Sequence, residues 1–411
     1  MIVLFLMNGA MAQWFPQNSG TTKRLRSVYF TDVNTGYVVG DSGTILKTTN
    51  GGTNWSSLSS GTNHHLYSID FPNANTGYAV GSLSSEAVIL KTVDAGTSWT
   101  VSLLLSNFGY SIYFRDVFFT DSITGYALGG STDASMSVSN WIRQTTDGGA
   151  TWNSLPFGMD CWLGSIYFTN ANMGYAVGYP GSNWYQGLIL KTIDGGASWD
   201  DYLPASTGVL HSIYFTDAYK GYAVGADGAI LKTIDGGTTW DALSSGTNSG
   251  LGSVFFPDDN TGYALGYNYA DSVQTILKTI DSGTNWTTLS IGSSIYLHSI
   301  YFTDANTGYG VGENGVVLKT INGGGFPVGI NDQNQTINRL TIYPNPAINN
   351  ITLETTSQGY LSIHNISGQQ LLQRTITEPT TTIDVSGWKS GVYLVKVVGE
   401  MGVHVGKIVK W

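Results

Sequence analysis

Residues 212–240 read SIYFTDAYKGYAVGADGAILKTIDGGTTW. A short apolar run, Ser212 to Phe215, leads through a turn to Gly221-Tyr222-Ala223-Val224-Gly225. A second turn leads to Ile230-Leu231-Lys232-Thr233, and an Asp-Gly-Gly turn leads to Trp240. The four parts return seven times along the 411 residues. The first recurs as SVYF at 27, SIDF at 68, DVFF at 116, SIYF at 165 and 299, and SVFF at 253. The glycine that opens the second part stands at 36, 77, 125, 174, 221, 262 and 308, every 41 to 49 residues. Four strand-sized runs per unit at that period predict β-propeller blades, seven of them.

The seventh unit ends at KTINGGGFP, without a Trp or a fourth strand. At the other end of the chain, WFPQNSGT from Trp14 matches WSSLSSGT from Trp55. The N-terminal strand is therefore expected to complete the last blade and leave no open radial gap.

In each TIDGG-type turn the Asp (Asp94, Asp147, Asp194, Asp235, Asp281) can accept hydrogen bonds from the turn's own N–H groups, and the glycines permit positive φ. The Trp that follows (Trp55, Trp99, Trp152, Trp199, Trp240, Trp286) offers a large apolar face to a neighbouring blade. Seven equal copies are a structural repeat and not seven active sites. The segment Lys232–Trp240 resembles the Asp-box (BNR) repeat of sialidases, sortilin-type receptors and secreted propellers. The wider unit is similar to the propellers of photosystem II assembly and stability factors, a likeness that covers residues 13–326 and implies the fold.

Composition agrees with short strands and tight turns: 53 Gly, 11% charged residues and abundant Tyr and Trp. A net charge of −10 without a Lys or Arg block argues against nucleic acid and anionic membranes as partners. Cys161 is the one cysteine, so a disulfide framework is excluded. No metal or cofactor is expected: Asp32 and Asp304 open calcium-like runs, but no Glu follows at the twelfth position, and an Asx-turn is the better reading. Residues 1–12 read as a signal peptide ending at Ala10-Met11-Ala12, its positively charged start missing. No other stretch is long enough to span a bilayer.

After Gly325 the register breaks. Residues 327–338 read as a linker, and the alternating runs of 339–411 as a small Ig-like β-sandwich, giving an all-β chain. This segment resembles the type A C-terminal sorting domain of the Bacteroidetes type IX secretion system. The resemblance rests on Tyr343-Pro344-Asn345-Pro346, Gly368-Gln369, Gly391-Val392-Tyr393 and the terminal Lys407–Lys410 strand, with Trp388 where Leu is usual. It implies type IX machinery as a partner, removal of the domain, and release or attachment at the outer surface.

The turns joining strands one to two and three to four are expected on one face, and are uniform. The other face carries variable loops, where binding usually resides. Its longest loops offer Trp141, Tyr179, Trp184, Tyr185, Tyr267 and Tyr269, which can stack on sugars or anchor a protein. The position before each first strand reads Arg26, Tyr67, Arg115, Gly164, His211, Gly252 and His298; its cations, Arg26, Arg115, His211 and His298, could hold an anion. The bland reading of both sets is packing and loop bonding. Too few arginines, and the absence of the sialidase RIP signature, argue against a sialidase. Among Asp116, Asp133, Asp160, Asp200, Asp201 and Asp271 no spacing singles out a glycosidase pair. The sequence thus predicts an exported, monomeric, non-catalytic propeller with a glycan or protein ligand; the alternative is a polysaccharide hydrolase or lyase.

Overall fold

The computed structural model describes residues 14–107, 111–132, 138–156, 159–181, 183, 185–204, 208–268, 273–289, 295–324, 340–355, 359–365, 369–399 and 402–411. The proposed signal peptide and linker lie outside them, as do Asp133, Trp184, Tyr269, Asp271 and Gly368. The chain divides into two compact units, residues 1–328 and 329–411.

The first unit holds seven four-stranded antiparallel sheets. Blade 1 comprises Leu25–Phe30, Gly36–Gly40, Ile45–Thr48 and Ser56–Leu58 in that order from the inside. Each inner strand packs beside the next, and Leu25–Phe30 packs beside Leu297–Phe302, so the ring closes. Phe15–Gln17 pairs with Val317–Lys319 as the fourth strand of blade 7. Trp14 is 3% exposed and sets its edge against Phe302 at 5.9 Å, so it supplies the missing seventh Trp.

The core lies between blades. Tyr37, Val39 and Ile45 of blade 1 pack with Leu66, Ile69, Phe71 and Trp99 of blade 2. Tyr37 stacks on Phe71 at 4.0 Å, Trp99 meets the same ring edge-on at 6.1 Å, and the Tyr37 hydroxyl donates to the Ala95 carbonyl at 2.9 Å. Lys47 Nζ donates to that carbonyl too, at 2.7 Å. This inter-blade latch recurs around the ring. Across the closure, Tyr309 and Lys319 donate to the Gly51 carbonyl; in blade 3, Gln144 takes the Lys place and donates to the Gly195 carbonyl. The glycine that marks the period has a steric reason. A Cβ on Gly36 would lie 2.5 Å from the Phe30 ring, the surface on which the latch is built.

In the Asp box, Asp235 Oδ1 accepts from Thr239 N–H at 2.9 Å and from the Thr233 hydroxyl at 2.8 Å, while Oδ2 accepts from the Thr239 hydroxyl at 2.7 Å. Those bonds, the Thr239 N–H first, hold its carboxyl at about 2. The first glycine of the box is dispensable, because Ala95 and Ser282 adopt φ near +56° in its place. Each box lies against its own blade's strand-one-to-two turn, as Gly51 N–H to Asn34 carbonyl illustrates, so both turn sets share one face.

The second unit is a β-sandwich of a three-stranded sheet (Thr341–Tyr343, Asn350–Glu354, Thr380–Asp384) and a four-stranded sheet (Gln370–Ile376, Gly359–Asn365, Gly391–Gly399, Gly402–Lys410). Ile351, Leu353, Leu361, Ile363, Val395 and Ile408 fill its interior. Within Tyr343-Pro344-Asn345-Pro346, the Asn345 side chain accepts from Val409 N–H at 2.8 Å and donates to the Lys407 carbonyl at 2.7 Å, pinning the terminal strand. Tyr343 donates to Glu354, and the buried Tyr393 donates to the Lys389 carbonyl while Trp388 packs on its ring. Gly391 is exposed at the start of its strand.

Candidate functional site at the channel mouth

In every blade the inner strand shifts register by one residue, between Leu25/Ser27, Leu66/Ser68, Phe114/Asp116, Leu163/Ser165, Leu210/Ser212, Leu251/Ser253 and Leu297/Ser299. The extra residue is the position singled out in the sequence: Arg26, Tyr67, Arg115, Gly164, His211, Gly252 or His298. A β-bulge re-aims its residue out of the ladder. Seven bulges therefore furnish the channel mouth.

Below the mouth lies a serine position, Ser27, Ser68, Ser165, Ser212, Ser253 and Ser299, with Asp116 in blade 3. Asp116 accepts from Ser68 Oγ, Val117 N–H and, across the blade boundary, Ile166 N–H. Deeper still, Phe118, Tyr167, Tyr214, Phe255, Tyr301 and Tyr29 follow one another with ring centroids 4.8–5.4 Å apart. Asp70 takes the remaining place, beside Tyr29. Asp70 and Asp116 are half-buried, with protein crowded around both. Burial pushes Asp70 up to about 7 and Asp116 upward as well. Both carboxyls are committed to backbone amides.

Around the mouth most cations are paired. Arg26 Nε meets Asp41 Oδ1 at 2.5 Å and covers the Tyr67 ring; Arg24 meets Glu313 at 2.7 Å; His65 lies 3.3 Å from Asp41; His298 lies 3.0 Å from Glu313. Burial lowers the His298 pKa despite Glu313. This side of the ring is neutralised, which removes Arg26 and His298 as free anion holders.

Blades 3 to 5 differ. Arg115 is exposed and, among the described residues, has no carboxylate within ion-pair distance. Its guanidinium lies over Trp162 at 4.9 Å and Tyr113 at 5.4 Å. Trp162 stacks on Tyr179 at 5.3 Å and 18°, and presents its edge to His211 at 6.2 Å. Burial, with Arg115 second, lowers the His211 pKa, so its imidazole is neutral at pH 7. Tyr113 is held by Asn140, which donates to the Cys161 carbonyl. Cys161 itself is buried, its thiol pushed up to about 12. Gly164 makes this possible: a Cβ there would lie 2.9 Å from the Trp162 ring. On the far side of the mouth, Gly252 has open space around it.

Sequence reasoning missed Trp162. The signal was Gly164, a blank in the mouth series flanked two residues earlier by an aromatic. Of the loop aromatics, Tyr179 joins the cluster; Trp141 is half-buried against the core between blades 2 and 3, with its indole N–H enclosed. Tyr267 packs edge-on to Tyr296, which leads to His298. Tyr185 is 71% exposed. Asp200 and Asp201 sit on an outermost strand, far from the channel, and Asp160 is exposed near Gly181. A shallow depression of about 360 Å³ from Ser42 to Asn63 has no carboxylate lining it. Among the described residues no group of three His, Cys, Asp or Glu could hold a metal ion.

A family model described as a secretion system C-terminal sorting domain matches residues 341–411, and one described as photosynthesis system II assembly factor YCF48 matches residues 7–108 and 202–294. The chain is an Asp-box propeller with a type IX sorting tail. That tail marks it for export to the cell surface or the extracellular space. Among solved structures, the propeller is similar to YCF48 bound to D1 peptide, at 19% identity and TM-score 0.57 over 75% of this chain and 97% of that one. YCF48 from Cyanidioschyzon merolae gives 20% identity and TM-score 0.57 over 75% and 98%. A GH74 xyloglucanase from Xanthomonas campestris gives 14% identity and TM-score 0.57 over 83% of this chain and 59% of that one. At these identities the likeness carries the propeller fold. No curated protein sequence matches the chain. Among the described residues no helix is long and apolar enough to cross a membrane.

Proposed function

We propose that the exported propeller is a non-catalytic binding module whose glycan or protein ligand seats at the channel mouth over blades 3 to 5. One observation carries this reading: Arg115 lies over Trp162 and, among the described residues, has no carboxylate within ion-pair distance, whereas the rim arginines Arg24 and Arg26 are ion-paired. A guanidinium so placed is pre-organised and retains its charge for an incoming acceptor. Tyr179, Tyr113 and neutral His211 add ring surface and hydrogen-bonding groups around it, and Gly252 leaves room opposite. The YCF48 structure with a D1 peptide gives a precedent for a propeller of this kind holding a peptide.

The xyloglucanase likeness favours a second reading, a polysaccharide hydrolase. Against it, the channel-wall carboxyls Asp70 and Asp116 serve backbone amides, and a glycosidase needs two carboxyls flanking a substrate. The test is an array of glycans and peptides probed with the full chain and with Arg115→Ala and Tyr179→Ala. Binding lost in both variants supports the mouth site. Binding kept by both moves the site elsewhere, and release of reducing ends from xyloglucan or another polysaccharide favours the hydrolase.

A further inference from the structure

The face opposite the mouth, built from the Asp boxes, is uniform in backbone but not in chemistry. The residue before the box Asp or Asn is Thr49, Val93, Thr146, Ile193, Ile234, Ile280 and Ile321 in blades 1 to 7. The five aliphatic side chains are 57–68% exposed. A β-branched residue suits the extended backbone there, but Thr49 and Thr146 satisfy that need without apolar surface. A single exposed aliphatic is ordinary. Isoleucine recurs on four consecutive blades, 4 to 7, with Tyr219 of blade 5 also 68% exposed on this side; Val33, Val93 and Ile123 continue exposed apolar surface over blades 1 to 3, so it runs round the ring and gathers most in the arc over blades 4 to 7.

The setting of the arc is acidic. Asp194, Asp235 and Asp281 follow the isoleucines directly, and Asp217, Asp258 and Asp304 lie in the adjoining turns. Lys220, in the blade 5 turn, is a basic side chain on this face, outnumbered by these carboxylates; of the third-strand lysines, Lys232, Lys278 and Lys319 donate into the blade boundaries. The arginines Arg24, Arg26 and Arg115 all lie at the opposite end of the channel. The disc is polarised.

We propose that the Asp-box face of blades 4 to 7 is a second docking surface, for a protein partner that presents basic side chains among apolar ones. Isoleucines supply the contact and the aspartates select the sign of charge. The surface is separate from the mouth and does not depend on the ligand held there.

The test uses the full chain and a quadruple variant, Ile193→Thr, Ile234→Thr, Ile280→Thr and Ile321→Thr. Threonine at Thr49 and Thr146 already meets the backbone demand, and a thermal melt verifies folding. The probes are a synthetic amphipathic helix of leucine and lysine and its leucine–glutamate counterpart, measured by fluorescence anisotropy. The expected result is lysine-helix binding that weakens about tenfold or more in the variant, with no glutamate-helix binding and no change on Arg115→Ala. Equal binding by variant and wild type, or equal binding of both helices, would overturn the proposal. Concentration-dependent dimerisation of the wild type, abolished in the variant and without helix binding, would make the arc a self-contact and overturn it as well.

Discussion

Asp70 of blade 2 accepts the backbone N–H of Phe119, in blade 3, at 2.7 Å. Its other oxygen accepts Phe71 N–H at 2.8 Å, so one carboxyl ties two blades together at the channel wall. Tyr29, Tyr167, Tyr301 and Asp116 face it, and none is a cation.

Burial raises the Asp70 pKa to about 7 in the folded state, against about 4 in an unfolded chain. A raised carboxyl contributes stability that is complete below pH 4 and is lost as pH climbs through 7. The propeller should therefore lose stability, on the order of a few kcal/mol, between pH 4 and 7.5 from this site. Asp70→Asn should flatten that slope, measured by urea unfolding at pH 5, 6, 7 and 8; an unchanged slope contradicts the assignment. Below pH 4 the trend reverses, because box carboxyls such as Asp94 and Asp147, held near 2 by their turn hydrogen bonds, take up protons on unfolding.

Gly164→Ala should displace the Trp162 ring, which would meet the new Cβ at 2.9 Å. The expected outcome is a loss of ligand binding at the mouth with a stability change within about 1–3 kcal/mol. Binding titrations beside thermal melts separate the two effects. Full binding by the variant would remove Trp162 from the site.

Trp14→Ala should cost about 3–5 kcal/mol, the usual toll of truncating a buried Trp. Chemical denaturation measures it. Phe15→Ala, two-fifths exposed on the same strand, is the control and should cost far less.

Asn345→Ala removes both side-chain bonds to the terminal strand. We expect about 1–3 kcal/mol of destabilisation in the sorting unit and reduced appearance of the protein in culture supernatant. Normal secretion with a loosened terminal strand, read by hydrogen exchange at Lys407–Lys410, would separate sorting from this contact.

The blades were legible because the period is written in residues with local duties: Gly36 under Phe30, Asp235 in its turn, Trp240 on its ring. The latch was not. Tyr37 and Lys47 look like ordinary members of a buried strand, and their shared acceptor, the Ala95 carbonyl, belongs to the next repeat, which pattern reading treats as a separate copy. Asp70 announces itself in SIDF, where six repeats carry an aromatic, yet a lone acid in an apolar strand gives no hint of two amide partners. At the mouth, the bulge position was found in all seven blades. The chemistry lay two residues earlier in blade 4, because a blank at Gly164 reads as nothing until the ring above it is seen.

The last blade borrows its outer strand from the beginning of the chain, and this sets an order on events. A polypeptide made from its amino end presents Phe15–Gln17 first and Val317–Lys319, their ladder partners, some 300 residues later. Until then six blades can assemble but the circle stays open, and the first strand waits without a neighbour. Such long-separation pairing is slow. Sealing thus becomes a checkpoint on completeness, passed only when the seventh blade has arrived, with the sorting unit next in line behind it.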